Sequence, residues 1–330
     1  MKQILILLEE KKRQLDAHQP FSPELITNLR EWFKIELTYT SNAIEGNTLS
    51  RAETALVVEK GLTVEGKTLT EHLEAVNLAQ AFDFIQKITM NKQGISENTI
   101  LDLHQLILQK IDTTNAGRYR NVPVRIAGST VILPNAMKVP ELMSEFVSWL
   151  QKSDDNPLTI AVDAHFKLVS IHPFVDGNGR TARLLMNLLL MQAGYPPAII
   201  RKEDRNQYIS SIEKAQLTGS LSDYYALLYE AINQSLDIYL NALENKENEN
   251  KLTLKSLLKI GELAKLSGET VPTIRHWTKE GLLTVAEYTH SGYQLYSHNA
   301  ISVIQKIRRL QNTKRLTLAE IKGQLATSFS

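Results

Sequence analysis

The chain has 330 residues, of which 43% are apolar and 22% charged, an ordinary balance for a soluble globular protein of two or three domains. It contains no cysteine, which excludes disulfides, thiol catalysis and Cys-ligated zinc and fits a reducing compartment such as the cytoplasm. The net charge of +1 conceals an asymmetry, because residues 251–330 hold 12 Lys and Arg against 5 Glu and carry +7, which leaves −6 for the preceding residues. This basic part suits a polyanion-binding unit or a solvated surface.

The N-terminal apolar run, within MKQILILLEEKKR, is too short for a signal peptide and leads into charged residues instead of a cleavage site. The longest apolar stretch, Leu184–Met191, is interrupted by Asn187 and is too short to cross a bilayer. We therefore expect a cytoplasmic protein with no membrane partner.

Most of the first 240 residues show the apolar spacing of amphipathic helices. The first such pattern covers Glu24–Thr40, with Ser22 placed to cap it and Pro23 at its first position. Further helical patterns cover 68–91, 96–110, 138–151, 158–170, 180–193 and 220–241. Two short β-prone runs, Val122–Ile126 and Val131–Leu133, flank Ala-Gly-Ser-Thr and predict a small hairpin. The predicted fold class of this part is mainly α.

The segment from 172 to 183, HPFVDGNGRTAR, has the composition of a phosphate-handling loop. The run Gly177-Asn178-Gly179 can direct several backbone N–H groups inward to form an anion nest. An apolar helix begins directly after this run, and helix N-termini favour phosphate through free N–H groups and the macrodipole.

Four side chains around this nest complete the chemistry. Arg180 and Arg183 are three positions apart and can both reach a polyphosphate. Asp176 is a hard oxygen ligand suited to Mg²⁺, and His172 can accept a proton near pH 7. Together they predict phosphoryl or nucleotidyl transfer. A glycine-rich helix start with surface charges is the alternative, and a Walker P-loop is a poorer fit because no GxxxxGK[ST] occurs after a strand.

This segment resembles the signature of the Fic family, HPFx[DE]GNGRxxR, at every fixed position, and the likeness extends over about residues 20–240. The resemblance implies transfer of AMP from ATP to a Ser, Thr or Tyr hydroxyl of a protein, with release of pyrophosphate. By this resemblance His172 is the base and Asp176 holds Mg²⁺ on the phosphates. The remaining contacts to phosphate would come from Gly177, Asn178, Gly179, Arg180 and Arg183.

The upstream run Ser41-Asn-Ala-Ile-Glu45-Gly46-Asn47 resembles the family's inhibitory motif, [ST]xxxE[GN]. A carboxylate at Glu45 can form a bidentate pair with Arg183, the arginine meant for the γ-phosphate. Such a pair would lower the rate of transfer roughly 5- to 150-fold. An ordinary surface glutamate is the alternative. Some members with this glutamate also remove AMP, and the sequence does not decide the direction.

Two further regions are assigned by the same resemblance. The hairpin at 122–133 would be a flap that pairs with an extended target segment, with Arg125, Ile126, Ala127 and Gly128 nearest the nucleotide. Tyr208, Ile209 and Gln216 would lie near adenine, because an aromatic face stacks on any base. A decorative hairpin and a core position for Tyr208 are the alternatives. The preceding GRYR element, residues 117–120, is more typical of a structural than a catalytic role. His104 and His165 lie within apolar helical patterns and are expected to be structural.

The polar run 241–250, NALENKENEN, predicts the exposed end of a helix that leads into a linker. Residues 257–325 then resemble the winged helix-turn-helix of MerR-type regulators, although Gln294 stands where that family usually has Arg. DNA phosphate contacts would come from Arg275, Lys279, Arg308 and Lys314. A protein-docking unit on the same fold is the alternative, and no long dimerisation helix follows.

We therefore expect four parts. Residues 1–95 form an N-terminal helical region that contains the inhibitory helix, and residues 96–240 form the catalytic core. A linker at 241–252 leads to the winged helix-turn-helix at 253–330. The expected partners are ATP, a target protein, the chain itself and DNA, and a homodimer stays open. A DNA-binding regulator that uses the Fic part as a nucleotide sensor is the competing class. The complete set around His172 favours the enzyme, because a sensor needs no base.

Overall fold

The computed structural model describes residues 2–255, 257–289, 292–297, 299–314 and 316–326. It divides into two compact units, Met1–Ala242 and Leu243–Ser330. Within the described residues, no helix is both long enough and apolar enough to cross a membrane.

The first unit is built from helices. Their bounds are α1 Lys2–Ala17, α2 Pro23–Ile44, α3 Arg51–Lys60, α4 Leu69–Met90, α5 Glu97–Leu108, α6 Val139–Lys152, α7 Pro157–Ile171, α8 Asn178–Gln192, α9 Arg205–Thr218 and α10 Ser222–Lys255. The apolar periodicity predicted α2, α4 to α8 and the first part of α10, whereas α1, α3 and α9 were not predicted.

Helix α2 begins as its sequence indicates. The Ser22 hydroxyl accepts a hydrogen bond from the Leu25 N–H at 3.3 Å, and Pro23 occupies the first helical position. The helix continues four residues beyond its predicted end at Thr40 and stops at Ile44. This extension carries the whole run from Ser41 to Ile44 on the helix, so that Glu45 caps its C-terminal end.

The core of this unit holds α7 and α8 in place. Leu168 of α7, Leu185 and Leu188 of α8 and Leu103 of α5 are fully buried in one cluster. Burial of a leucine side chain contributes about 1.5–3 kcal/mol, so these contacts fix both helices firmly. The loop between them, residues 172–177, is consequently presented by two immobile helix ends.

The segment 122–133 differs from its prediction. It forms no strand, although every residue in it is described. Ile126–Ser129 makes a tight turn, closed by the Ser129 N–H on the Ile126 carbonyl at 3.2 Å, with Gly128 at φ 78°. Pro123 lacks an N–H, and a two-stranded ribbon without further packing is marginal in water, which explains why the hairpin remains unpaired. We keep the name flap for residues 122–133.

The predicted linker, 241–252, is helical along its backbone because α10 extends to Lys255. Its residues are mostly Ala, Leu, Glu, Lys and Asn, without the Gly or Pro that would end a helix. The division between the two units falls at Ala242 and Leu243, within this helix.

The second unit combines short helices with a small sheet. Its elements are β1 Leu258–Lys259, α11 Ile260–Ser267, α12 Val271–Lys279, β2 Glu287–Tyr288, β3 Gln294–Tyr296, α13 Asn299–Lys314 and α14 Leu318–Ala326. The strands are antiparallel in the order β1-β3-β2, with Leu258 opposite Tyr296 and Glu287 opposite Leu295. Ile274 and Trp277 of α12 are buried in its core. This arrangement confirms the predicted winged helix-turn-helix, with β2 and β3 as the wing.

Candidate active site

The loop between α7 and α8 begins at His172. Its backbone lies in the left-handed region at φ 52°, ψ 58°, and its N–H donates to the Leu168 carbonyl at 2.9 Å. Pro173 follows and cannot continue the helix. Gly177, at φ 77°, then reverses the chain into α8. A β-branched residue at Gly177 would be strained, and any side chain there would meet the His104 ring 3.2 Å away.

The interior of the loop is held by Asn178 and His104. The Asn178 side chain accepts the Phe174 N–H and donates to the Phe174 carbonyl, each at 2.9 Å. His104 stacks on the Phe174 ring at 3.6 Å. Because its Nδ1 accepts the Gly117 N–H at 3.0 Å, its Nε2–H donates to the Asp176 carbonyl at 2.9 Å. Burial lowers the pKa of His104 to about 4. His104 is therefore a neutral structural histidine. The Asn178 side chain is used within the loop, which leaves its backbone for the predicted phosphate contact.

The start of α8 offers the predicted anion site. The first intrahelical bond is made by the Thr181 N–H to the Gly177 carbonyl, so the N–H groups of the preceding turn have no partner within the helix. A Cβ on Gly179 would lie 2.4 Å from a Glu45 oxygen and 3.0 Å from Arg183 Nη1. The cradle therefore fits an anion only because position 179 has no side chain, and the Glu45 carboxylate lies in it here.

Glu45 and Ser41 reach Arg183 from the end of α2. Glu45 Oε1 accepts from Arg183 Nη2 at 2.6 Å. Arg183 also donates from Nε to the Ser41 hydroxyl at 2.8 Å and from Nη2 to the Ser41 carbonyl at 3.0 Å. The pair is monodentate and not bidentate as predicted. The Ser41 hydroxyl and carbonyl accept from Nε and Nη2 of the guanidinium.

Both members of this pair are charged in the folded protein. Burial acts to raise the pKa of the Glu45 carboxyl, but Arg183, with help from Arg180 and Arg205, outweighs it and the pKa is lowered. Burial acts to lower the pKa of Arg183, and Glu45 raises it instead. The anion site thus holds a carboxylate at neutral pH.

Arg180 has different partners from Arg183. Its Nη1 donates to Glu74 Oε1 on α4 at 2.9 Å, and its Nη2 donates to Asp176 Oδ2 at 3.1 Å. The side chain is 3% exposed. Two carboxylates therefore bind both ends of the Arg180 guanidinium, and its predicted contact with the outer phosphates stays a prediction. Glu74 also accepts from Asn47 at 2.9 Å and so joins Arg180 to the last residue of the Ser41–Asn47 run.

Asp176 lies at the mouth of the site with 67% of its side chain exposed. Within the described part of the chain, no group of three or more His, Asp or Glu side chains could hold a metal ion. A Mg²⁺ bound by Asp176 would therefore need phosphate oxygens and water as its other ligands, a coordination that Mg²⁺ commonly has with nucleotides. The exposed carboxylate beside the anion cradle fits that use.

His172 is positioned by Arg120. Arg120 Nε donates to the His172 carbonyl at 2.8 Å, while its Nη atoms donate to the carbonyls of Val122 at 3.3 Å and Pro134 at 2.7 Å. One buried guanidinium thus joins the catalytic loop to both ends of the flap, in agreement with the structural role predicted for the GRYR element. Burial lowers the pKa of the His172 imidazole, so the ring is neutral and able to accept a proton at neutral pH.

The flap residues predicted to face the nucleotide lie in or next to the tight turn. Arg125, Ala127 and Gly128 are exposed, and Ile126 is half-buried. The turn contacts Glu213 of α9, whose Oε1 accepts from the Ser129 hydroxyl at 2.7 Å. Sequence reasoning missed Glu213 and Glu74, since each acts through residues more than 80 positions away and has no local motif.

Tyr208 differs from its predicted place beside adenine. Its side chain is 2% exposed, and its hydroxyl donates to His165 Nε2 at 2.7 Å and accepts from Arg183 Nη1 at 3.4 Å. The ring is in the core, the alternative that the sequence left open, so its faces cannot stack on a base. Ile209 is 38% exposed, and Gln216 donates to the Ser170 hydroxyl at 3.3 Å. Ile209 and Gln216 remain candidates for contact with the adenine ring.

In the second unit, Arg275 and Lys279 lie exposed on α12. They line an open groove of about 1130 Å³ together with Lys259, Tyr288 and Tyr293. Arg308 does not line this groove, so its predicted contact with DNA phosphate stays a prediction. Its guanidinium forms two bonds with Glu269, at 2.5 and 2.7 Å, and packs over the Trp277 ring at 4.9 Å. The Lys314 side chain lies outside the described residues.

Two parts of the sequence match known protein families. Residues 94–190 match the Fic/DOC family, and residues 258–327 match the MerR HTH family of regulatory proteins. The protein adenylyltransferase Fic of Drosophila grimshawi is 35% identical over 265 residues, 79% of this chain. The chain spans 54% of that relative's length.

Two solved structures share the fold. Fic-1 (aa134–508) of C. elegans is 30% identical with a TM-score of 0.69, over 74% of this chain and 73% of that one. A Fic domain containing signaling protein of Bacteroides thetaiotaomicron is 28% identical with a TM-score of 0.66, over 73% of this chain and 98% of that one. On this evidence the chain belongs to the Fic/DOC family and carries a MerR-type helix-turn-helix unit after its Fic domain.

Proposed function

We propose that this chain transfers AMP from ATP to a hydroxyl group of a protein, itself included, and that Glu45 restrains the transfer. The observation that carries the proposal is the Glu45 carboxylate bound to Arg183 at 2.6 Å over the N-terminus of α8. A buried arginine and free N–H groups form a site for a polyphosphate, and a side chain of the same charge as the phosphate fills it.

The residues support an in-line displacement at the α-phosphate. The neutral His172 accepts the proton of the attacking hydroxyl as its oxygen bonds to the phosphorus. The bond from the α-phosphorus to the bridging oxygen breaks, and pyrophosphate leaves. N–H groups at the start of α8 stabilise the charge on the α-phosphate, and Arg183, once released from Glu45, binds the outer phosphates. Mg²⁺ held by Asp176 would neutralise phosphate charge.

The test compares the full chain with Glu45→Gly, using ATP labelled on the α-phosphate. We expect protein-bound label to rise between about 5- and 150-fold in the variant, the range set by an arginine–carboxylate pair. His172→Ala in the Glu45→Gly background should return label to the level of a blank. Equal labelling in all three proteins would refute the proposal, and a nucleotide sensor would bind ATP equally well without His172.

Removal of AMP is the second candidate, because Glu45 is both close to the site and 36% exposed at its side chain. A carboxylate in this position can orient a water for attack on a phosphodiester. AMP-modified protein offered to the full chain and to Glu45→Gly separates the two directions. Release of AMP by the unmodified sequence alone supports removal, whereas release by neither protein excludes it.

We further propose that the second unit binds DNA through α12 and the wing. The groove presents Arg275, Lys279 and Lys259 with two exposed tyrosines, a combination suited to a polyanion. Titration of the full chain against duplex DNA at low and moderate salt tests this. Affinity should fall steeply with salt, and an interaction insensitive to salt would favour a protein-docking role.

A further inference from the structure

The flap lacks the strand pairing that would hold it in place. Arg120 fixes its two ends through the carbonyls of Val122 and Pro134. The tight turn Ile126–Ser129 lies between these ends, and Ile132 nearby is 95% exposed. A turn at the tip of an unpaired loop keeps a defined position only if side chains bind it.

Glu213 supplies such a contact. Its Oε1 accepts both the Ser129 hydroxyl at 2.7 Å and the Thr130 N–H at 3.3 Å. The Ser129 oxygen in turn accepts the Val131 N–H at 3.2 Å. One carboxylate oxygen therefore binds the last residue of the turn and the residue after it directly, and holds Val131 through Ser129. We call these contacts the latch.

The latch is on a helix that also contacts the catalytic loop. Ile209, Glu213 and Gln216 follow the i, i+4, i+7 spacing of one helical face on α9. Gln216 donates to the hydroxyl of Ser170, which precedes His172 by two residues at the end of α7. The same face of α9 therefore touches the flap and the helix end that carries the base, so it fixes one relative to the other.

We infer that Glu213 is a positioning residue that holds the flap so that an acceptor hydroxyl, and not water, meets the α-phosphate beside His172. This inference rests on the proposed AMP transfer. The flap is the segment that an extended target chain would contact, and a displacement of about 1 Å in the reacting group can cost roughly 100-fold in rate. An unlatched flap should therefore let water compete for the same phosphate.

The role needs hydrogen-bond acceptance and not charge. Glu213→Gln keeps a carbonyl oxygen for Ser129 and Thr130, whereas Glu213→Ala removes it. Glutamine should therefore preserve the function of the latch. If the carboxylate instead acted through its charge, for example on the base or on a cationic target, glutamine and alanine would fail alike.

The first measurement is amide hydrogen exchange of the full chain without nucleotide. In Glu213→Ala, exchange at Thr130 and Val131 should accelerate about fivefold or more, as loss of a hydrogen bond of ordinary strength implies. Glu213→Gln should stay close to the unmodified rate. Lys214→Ala on the same helix is the matched control, because Lys214 contacts Asp223 at the surface. Unchanged exchange in Glu213→Ala overturns the latch.

The second measurement uses Glu45→Gly protein and labelled ATP, with the chain itself as acceptor and water as its competitor. We expect the ratio of protein-bound AMP to free AMP to fall roughly tenfold in Glu213→Ala and less than twofold in Glu213→Gln. Ser129→Ala should lower the ratio alone but add nothing in the Glu213→Ala background, because the two residues act through one contact.

The outcomes separate this inference from the proposed function. A constant ratio despite faster exchange shows that the latch is structural and overturns its positioning role. A ratio that falls equally for glutamine and alanine overturns hydrogen-bond acceptance as the cause. If Glu45→Gly attaches no AMP at all, the proposed function fails, and faster exchange in Glu213→Ala would then leave Glu213 a purely structural contact.

Discussion

Glu45 Oε1 and Arg183 Nη2 lie 2.6 Å apart although 138 positions separate the two residues in the chain. Glu45 caps the end of α2, and Arg183 belongs to the second turn of α8. The contact places a negative charge beside the N-terminus of α8, where the proposed function puts a phosphate. Five predictions follow from this contact, its neighbours and the second unit.

The Glu45–Arg183 pair should make stability depend on pH in one direction. The folded protein lowers the pKa of Glu45 below its ordinary value of 4.5, so the stabilisation is present above that value and is lost as pH falls through the lower folded pKa. The difference in unfolding free energy between the chain and Glu45→Gln should stay constant from about pH 8 to about pH 6 and change only in acid. Urea unfolding across pH measures it, and a change near neutrality would contradict the assignment.

The pH dependence of transfer should report His172. Burial lowers its pKa from the ordinary 6.5, and Glu45 acts to raise it. In Glu45→Gly, kcat/KM should therefore remain level through neutral pH and decline only below 6.5, since the base must be unprotonated. An acid limb centred above 6.5 would mean that another group is the base.

Glu74 should matter more than an exposed acid. Removing it in Glu74→Ala leaves Arg180, which is 3% exposed, with Asp176 alone, and should cost about 2 kcal/mol of unfolding free energy. Asp223→Ala breaks the surface pair with Lys214 and should cost clearly less, because solvent screens an exposed pair. Equal costs in urea unfolding would show that the Arg180 pair is no stronger than a surface contact.

Tyr208→Phe should lower the free energy of unfolding and leave the preference for ATP over GTP unchanged. Tyr224 donates to the Val162 carbonyl, so His165 Nδ1–H donates to Tyr224 and its Nε2 accepts from Tyr208. Deleting the Tyr208 hydroxyl leaves that buried nitrogen without its donor, at a cost of about 1–3 kcal/mol.

The control for this variant is Tyr195→Phe, a half-buried tyrosine whose ring contacts Lys12. It should change the unfolding free energy by less than about 0.5 kcal/mol. A loss of preference for ATP over GTP in Tyr208→Phe, without a change in stability, would instead support the adenine contact expected from the sequence.

Two arginines of the second unit should have different roles, one in DNA binding and the other in stability. Arg275→Ala should weaken DNA binding and reduce the slope of log affinity against log salt by about 1, because Arg275 is exposed in the groove. Arg308→Ala should leave the slope unchanged and destabilise the unit, because Arg308 is bound to Glu269 and packs over Trp277. Salt titration of both variants measures this, and a reduced slope in Arg308→Ala would support its predicted phosphate contact.

Most helices of the first unit and the loop at 172–183 could be predicted from local sequence. Ser22 and Pro23 begin α2, apolar spacing forms α7 and α8, and HPFVDGNGRTAR brings the base, the turn and the helix start together. These features act over a few residues, where backbone preference and helical periodicity decide the outcome. The sequence also predicted that Glu45 pairs with Arg183, and its spacing of four from Ser41 lets both residues reach that arginine.

The tertiary structure decided which partner each polar side chain has. Arg180 and Arg183 are equivalent in the sequence, yet one binds Glu74 and the other binds Ser41 and Glu45. Tyr208 could have faced solvent or core, and packing beside His165 placed it in the core. Long polar side chains can bind any acceptor that distant helices bring within reach. The free-energy cost of leaving a buried polar group without a hydrogen bond determines the final arrangement.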